Sequence, residues 1–173
     1  IYSWLCDMLA EIGALYGEKW VNAPHNLTAH GRMGRKIGAL PSGRLAGKAL
    51  ADGSVSPCQG VDVKGPTAVI NSCSKIDQSH LVATLLNMKF QASTLKTRED
   101  RRKLLALIKT YFDGGGKHIQ FNTVDRETLI DAKIHPDLHR NLIVRVAGYS
   151  AFFTELLPNM QDEIIARTEH SLA

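Results

Sequence analysis

The sequence has 173 residues, the length of one domain or of the end of something larger. Hydrophobic residues make up 44% and charged residues 22%, values that exclude intrinsic disorder, a collagen repeat and a disulfide scaffold. Twenty-one Lys and Arg against seventeen Asp and Glu leave a mild +4, and only 6% of residues are aromatic, so nucleic acid is not expected as a partner. No apolar run approaches the roughly 20 residues needed to span a bilayer, so neither is a membrane.

The opening reads as a helix. Ile1, Trp4, Leu5, Met8, Leu9, Ile12 and Leu15 recur at helical spacing, with Ser3, Asp7 and Glu11 on the other face. A basic n-region and a small-residue cleavage site are both missing, so this is not a secretory signal. The first residue is Ile1 and not Met, and the chain is expected to be a fragment that begins inside structure. Cys6, Cys58 and Cys73 are far apart and odd in number, without C-x-x-C spacing. They read as idle thiols in a reducing cytoplasm.

From Gly31 to Pro66, glycines and prolines prevent any long regular element, and a stretch of that length is usually functional or wraps a larger body. Thr67 to Ile76 is a short helix with Pro66 at its first turn. Leu81 to Phe90 is read as strand, although helix remains open on pattern alone. The clearest helix runs from Arg98 to Phe112, with Thr97 as N-cap and Asp100 completing a capping box. Its expected apolar stripe is Leu104, Leu105, Ile108, Tyr111 and Phe112, and Gly114, Gly115 and Gly116 end it.

His118 to Val124 alternates, with Ile119 and Phe121 on one face and His118, Gln120 and Asn122 on the other. Asp125 is expected to cap a short helix carrying Leu129 and Ile130, which His135-Pro136 terminates. Leu142 to Val146 is a further apolar strand running into Gly148; Phe152 to Leu157 follows, and Pro158 starts a last amphipathic helix. The class is mixed α/β. Two evident strands cannot make a stable sheet alone, so further elements are expected.

Several familiar chemistries fail on spacing. Asp113-Gly-Gly-Gly-Lys117 follows a helix and precedes a strand, the reverse of a phosphate loop. His135 and His139 are four apart, but Pro136 interrupts the helix that would align them for a metal, and no carboxylate partner is evident. No Gly-x-Ser-x-Gly elbow supports a hydrolase triad. Arg98, Arg101, Arg102 and Lys103 alternate with acids as a solvated helix face. Neither a metal nor a nucleotide is expected in this chain.

What remains is Ile143-Val144-Arg145-Val146-Ala147-Gly148-Tyr149-Ser150-Ala151, where spacing alone makes Gly148 a turn residue. This segment resembles the signature of the glycyl radical enzyme superfamily, the pyruvate formate-lyase-like proteins. Ala39-Leu-Pro-Ser-Gly-Arg44, Leu50-Ala-Asp-Gly53 with Ser56-Pro57, and Gly65-Pro-Thr-Ala68 through Ser74-Lys75 are similar to the same family's approach to that loop. So are Gly115 through Asn122, and Gln161-Asp-Glu-Ile-Ile165 with Arg167-Thr168.

The resemblance implies the C-terminal part of a ten-stranded α/β barrel, with residues 1–45 ending the barrel and 46–173 forming the glycine radical domain, whose glycine loop inserts into the barrel. It implies a glycyl radical, installed after translation on Gly148 by a separate S-adenosylmethionine iron–sulfur activating enzyme. Arg145, Val146, Ala147, Tyr149 and Ser150 would shape the loop and be part of what that enzyme recognises. The face of His118, Gln120 and Asn122 would look into the barrel lumen, although an exposed strand edge has the same pattern. The family's hydrogen-abstracting cysteine lies upstream of the matched region, and Cys6, Cys58 and Cys73 do not fall in its motif. The whole would be an anaerobic cytoplasmic lyase, decarboxylase or acyltransferase acting on a small molecule, likewise a homodimer, and these residues alone would be inactive. Ala-Gly-Tyr-Ser-Ala-Phe-Phe leans towards the diol-dehydratase, choline-lyase and decarboxylase-like branches. The other expectation is a small autonomous glycyl radical cofactor protein that replaces an oxygen-damaged tail.

Overall fold

The computed structural model describes residues 2–172. It is mixed α/β, with six α-helices and five strands in two small sheets among the described residues. The three-stranded sheet has the order β2-β1-β5, from Ile119–Asn122, Leu86–Phe90 and Glu169–His170, and both pairings are parallel. A parallel pair needs a long crossover, which α4 (Arg98–Asp113) supplies between β1 and β2. Thr97 and Asp100 form the expected capping box. At the other end Gly116 lies so close to the Tyr111 ring that a Cβ there would come within 2.4 Å of it.

The register puts Leu86 beside Ile119 and Met88 beside Phe121, so one face of the sheet is apolar. That face packs on Val69, Ile70 and Cys73 of α3 (Pro66–Cys73) and on Leu107 and Tyr111 of α4. The other face carries Asn87 and Lys89 next to Gln120 and Asn122. Lys89 is fully buried and forms an ion pair at 2.7 Å with Glu169 of β5. A second core joins Leu129 and Ala132 of α5 (Arg126–Ile134) to Met160, Ile164 and Ile165 of α6 (Pro158–Ala166). Val144 and Val146 of the Gly148 segment belong to it. Fully burying each Leu, Ile, Val or Met among them contributes about 1.5–3 kcal/mol.

Several expectations need correction. The strand within Leu81–Phe90 is only Leu86–Phe90, and Leu81 forms a separate isolated bridge with Asn22. The buried stripe of α4 is Leu107 and Tyr111, with Leu104 packed at its edge, while Leu105 and Phe112 are exposed. Asp125 occupies the N-cap of α5 without a side-chain cap bond. The first helix, α1 (Tyr2–Leu15), has only Gly13 buried, and Trp4 and Leu15 remain 66% and 83% exposed. Ile1 of its expected stripe lies outside the described residues. The remaining short helix is α2, Ala29–Gly34.

Candidate site at the glycine turn

Strands β3 (Ile143–Arg145) and β4 (Ser150–Phe152) form an antiparallel hairpin in which Arg145 opposes Ser150. Val146, Ala147, Gly148 and Tyr149 make its turn, closed by the Val146 N–H donating to Tyr149 O at 2.9 Å. Gly148 has φ +80°, in the left-handed region that a side chain disfavours. Val146 and Ala147 are fully buried, whereas Gly148, Tyr149 and Ser150 are exposed. The base of the turn is therefore anchored in the core and its tip projects.

Polar side chains grip the turn from the sheet. Asn122 pairs with the Arg145 backbone like a short strand, its Oδ1 accepting from Arg145 N at 2.8 Å and its Nδ2 donating to Arg145 O at 2.6 Å. Gln120 Oε1 accepts from Gly148 N at 3.1 Å and from the Arg145 guanidinium at 3.2 Å. Its Nε2 donates to Val146 O at 3.4 Å. Arg145 also donates to Ser150 Oγ at 3.1 Å, across the hairpin.

A second grip comes from residues that sequence reasoning did not single out as a site. Arg167 donates to Val146 O at 2.8 Å and to Arg145 O at 3.2 Å. The same guanidinium pairs with Asp52 at 2.8 Å and Glu163 at 3.4 Å, and Glu163 in turn meets His30. Asn87 adds a bond to Val146 O at 3.4 Å and one to Asp52 at 2.9 Å. All five of these side chains are buried. Two acids in the dry interior are tolerable because Arg167 lies between them. The available signal was Glu163 and Arg167 spaced i, i+4 beside Ile164 and Ile165.

Space around Gly148 is limited on one side. A Cβ there would lie 3.3 Å from Leu85 Cδ1 and 3.9 Å from both His25 Nε2 and Leu27 Cδ2. Leu27 itself has φ +42°, an unusual conformation for a branched residue. His118 begins the amide face but makes no bond to the turn among the described residues; its carbonyl accepts from Tyr111 Oη at 3.2 Å and from Leu86 N at 3.1 Å. Burial, reinforced by the charge of Arg145 and by His25, pushes its imidazole below the usual range. The structure thus joins Gln120 and Asn122 to the Arg145–Ser150 turn, and leaves His118 beside it.

The other candidate groups stay apart from this site. Asp131 accepts from both His135 Nδ1 at 2.9 Å and His139 Nε2 at 2.6 Å, a carboxylate partner that spacing did not reveal. Among the described residues no group of three His, Cys, Asp or Glu is arranged to hold a metal ion. No helix among them is long and apolar enough to cross a membrane. All three cysteines are free, and burial pushes the Cys73 thiol up to about 11.

Residues 51–154 match the protein family described as Glycine radical. The chain is 46% identical over 154 residues to indoleacetate decarboxylase of Tractidigestivibacter scatoligenes, an alignment covering 89% of this chain and 18% of that protein. It is 48% identical over 158 residues to the probable dehydratase YbiW of Escherichia coli (strain K12), covering 90% and 19% respectively. Among solved structures, the glycerol-bound B12-independent glycerol dehydratase from Clostridium butyricum superposes with a TM-score of 0.89 at 42% identity, over 96% of this chain and 21% of that one. A glycyl radical enzyme from Archaeoglobus fulgidus gives 0.87 at 36% identity, over 98% and 22%. The chain spans about a fifth of the length of the relatives it matches.

Proposed function

This chain belongs to the glycyl radical enzymes, and from that premise we propose that Gly148 is the residue on which the radical is stored. Its mixed α/β fold is the C-terminal part of the barrel of those enzymes, and a glycyl radical is the family's cofactor. The observation that carries the assignment is the turn itself. Gly148 has φ +80° at an exposed tip, its N–H is held by Gln120, and the two carbonyls before Ala147 are held by Arg167.

Those residues suit the group. A radical held at Gly148 would supply a one-electron oxidising equivalent, and a glycine α-carbon suits it because the amide nitrogen donates electron density and the carbonyl accepts it. A Cβ at that carbon would crowd the flattened backbone and press on Leu85. Arg167, Asn122 and Gln120 keep the flanking peptides in place while the α-carbon changes shape.

On this reading residues 1–45 finish the barrel and 46–173 form the radical domain. The face of His118, Gln120 and Asn122 turns towards the lumen with the loop it carries. Tyr149 and Ser150 are the exposed determinants for an S-adenosylmethionine iron–sulfur activating enzyme, while Val146 and Ala147 set the loop's shape from within the core. The complete protein is an anaerobic, cytoplasmic, homodimeric enzyme with its hydrogen-abstracting cysteine on an upstream part of the barrel. A lyase acting on a small molecule is favoured over an acyltransferase, because the relatives described above are a decarboxylase and dehydratases. These 173 residues alone turn over no substrate.

The test is Gly148→Ala in the full-length protein. Left-handed backbone costs an Ala about 1–2 kcal/mol, and the Leu85 end can yield by a few tenths of an ångström, so the variant folds. After anaerobic incubation with the activating enzyme, S-adenosylmethionine and reductant, the unsubstituted protein gives an electron paramagnetic resonance doublet that collapses when glycine is deuterated. The Ala variant gives no signal and no turnover. A folded and active Ala variant would remove Gly148 from this role.

A further inference from the structure

Among the described residues, the Gly148 amide has a single hydrogen-bond partner, and it is a side chain. Gln120 stands on β2, beside Asn87 of β1, and is buried. Its amide cannot be reversed without setting an NH2 group against two other donors, the Gly148 N–H and the Arg145 guanidinium. Its Nε2, bonded to Val146 O, holds the remaining degree of freedom. The oxygen is therefore aimed at Gly148 before any chemistry takes place.

An acceptor on an amide N–H draws the proton outwards and leaves more electron density on nitrogen. Nitrogen is the donating half of the pair that stabilises an unpaired electron on a glycine α-carbon. We propose that Gln120 is a positioning residue of the radical site: its Oε1 fixes the plane of the Ala147–Gly148 peptide and strengthens donation from the Gly148 nitrogen. The proposal rests on Gly148 as the storage site. Arg145 draws on the same oxygen and also reaches Ser150, so it braces the Gln120 amide and both sides of the hairpin at once.

Full-length protein carrying Gln120→Leu, which has no acceptor, is compared with Gln120→Glu, which keeps one. Before activation, amide hydrogen exchange at Gly148 should be about tenfold faster in the Leu variant, and slow in the Glu variant as in the unsubstituted protein. After activation, electron–nuclear double resonance on protein labelled with 15N-glycine should show altered nitrogen and amide-proton couplings in the Leu variant. The Glu variant should restore them.

A purely structural role would lower the melting temperature and the radical yield but leave the couplings of the surviving radicals unchanged. Unchanged couplings in the Leu variant, or fast exchange in the Glu variant, overturn the proposal. Should the Leu variant fail to fold, the Glu variant decides on its own: slow exchange with restored couplings supports the proposal, and either one missing overturns it. Absence of a glycine-dependent doublet in the unsubstituted protein would instead defeat Gly148 as the storage site.

Discussion

His118 is the residue whose ionisation the fold disturbs most visibly next to the turn. Burial first, and then the positive charge of Arg145, oppose its proton in the folded state. The unfolded chain has no such opposition and takes the proton at the ordinary imidazole value of about 6.5. Unfolded chains therefore bind more protons over the interval below that value, and folding stability falls as pH drops through it. The loss stops once the folded imidazole is also charged. Asp62 behaves in the same direction at lower pH: burial works against its charge, but bonds from His170 and Thr168 outweigh that and hold its carboxyl below the usual range. Its contribution is present above about pH 4 and is lost beneath it, so the two windows are separable. We expect the melting temperature to decline from about pH 6.5 towards pH 5, and His118→Gln to flatten that decline while leaving the carboxylate window intact. A melting temperature that rises with acidification in the first window would contradict the assignment.

Helix α4 is the element whose construction is most local, and for that reason its ends were readable from the sequence. Thr97 accepts from Asp100 N at 3.0 Å, and Asp100 accepts from Thr97 N at 3.0 Å, satisfying two N-terminal donors at once. Thr97→Ala should cost about 1 kcal/mol in urea denaturation, and Thr97→Ser almost nothing; equal losses from both would mean the cap is not what holds the helix start. The stripe of α4 was less readable, since which of Leu105 and Leu107 is buried depends on where the sheet lies. The two-residue strand β5 exists only through its pairing with β1, and its own sequence carries no strand pattern. The glycine turn was legible because its residues are consecutive. The segments carrying Asp52 and Arg167 were legible as similar to the family, but the clamp they form with Asn87 was not, because its members come from distant parts of the chain.

At the scale of the molecule, the buried polar side chains of His30, Asp52, Asn87 and the Glu163–Arg167 stretch link four separate segments around one turn. Replacing Arg167 with Leu leaves Asp52 and Glu163 in the dry interior without their cation, and we expect a loss of about 3–5 kcal/mol by denaturation. Adding Asp52→Asn and Glu163→Gln should recover part of that loss; no recovery would mean that Arg167 acts by packing and not by charge. The same arrangement bears on covalent integrity. Beyond Tyr149 the chain returns as β4 beside β3, buries Ile164 and Ile165 of α6, and inserts β5 next to β1. Arg167 on that returning stretch grips Arg145 and Val146 on the outgoing one. If the backbone were severed at Gly148, the two pieces would still be clasped by strand pairing, core contact and ion pairs. Such a nicked protein would keep its size and shape in solution and come apart only in denaturant, so a cleaved population would pass for an intact one.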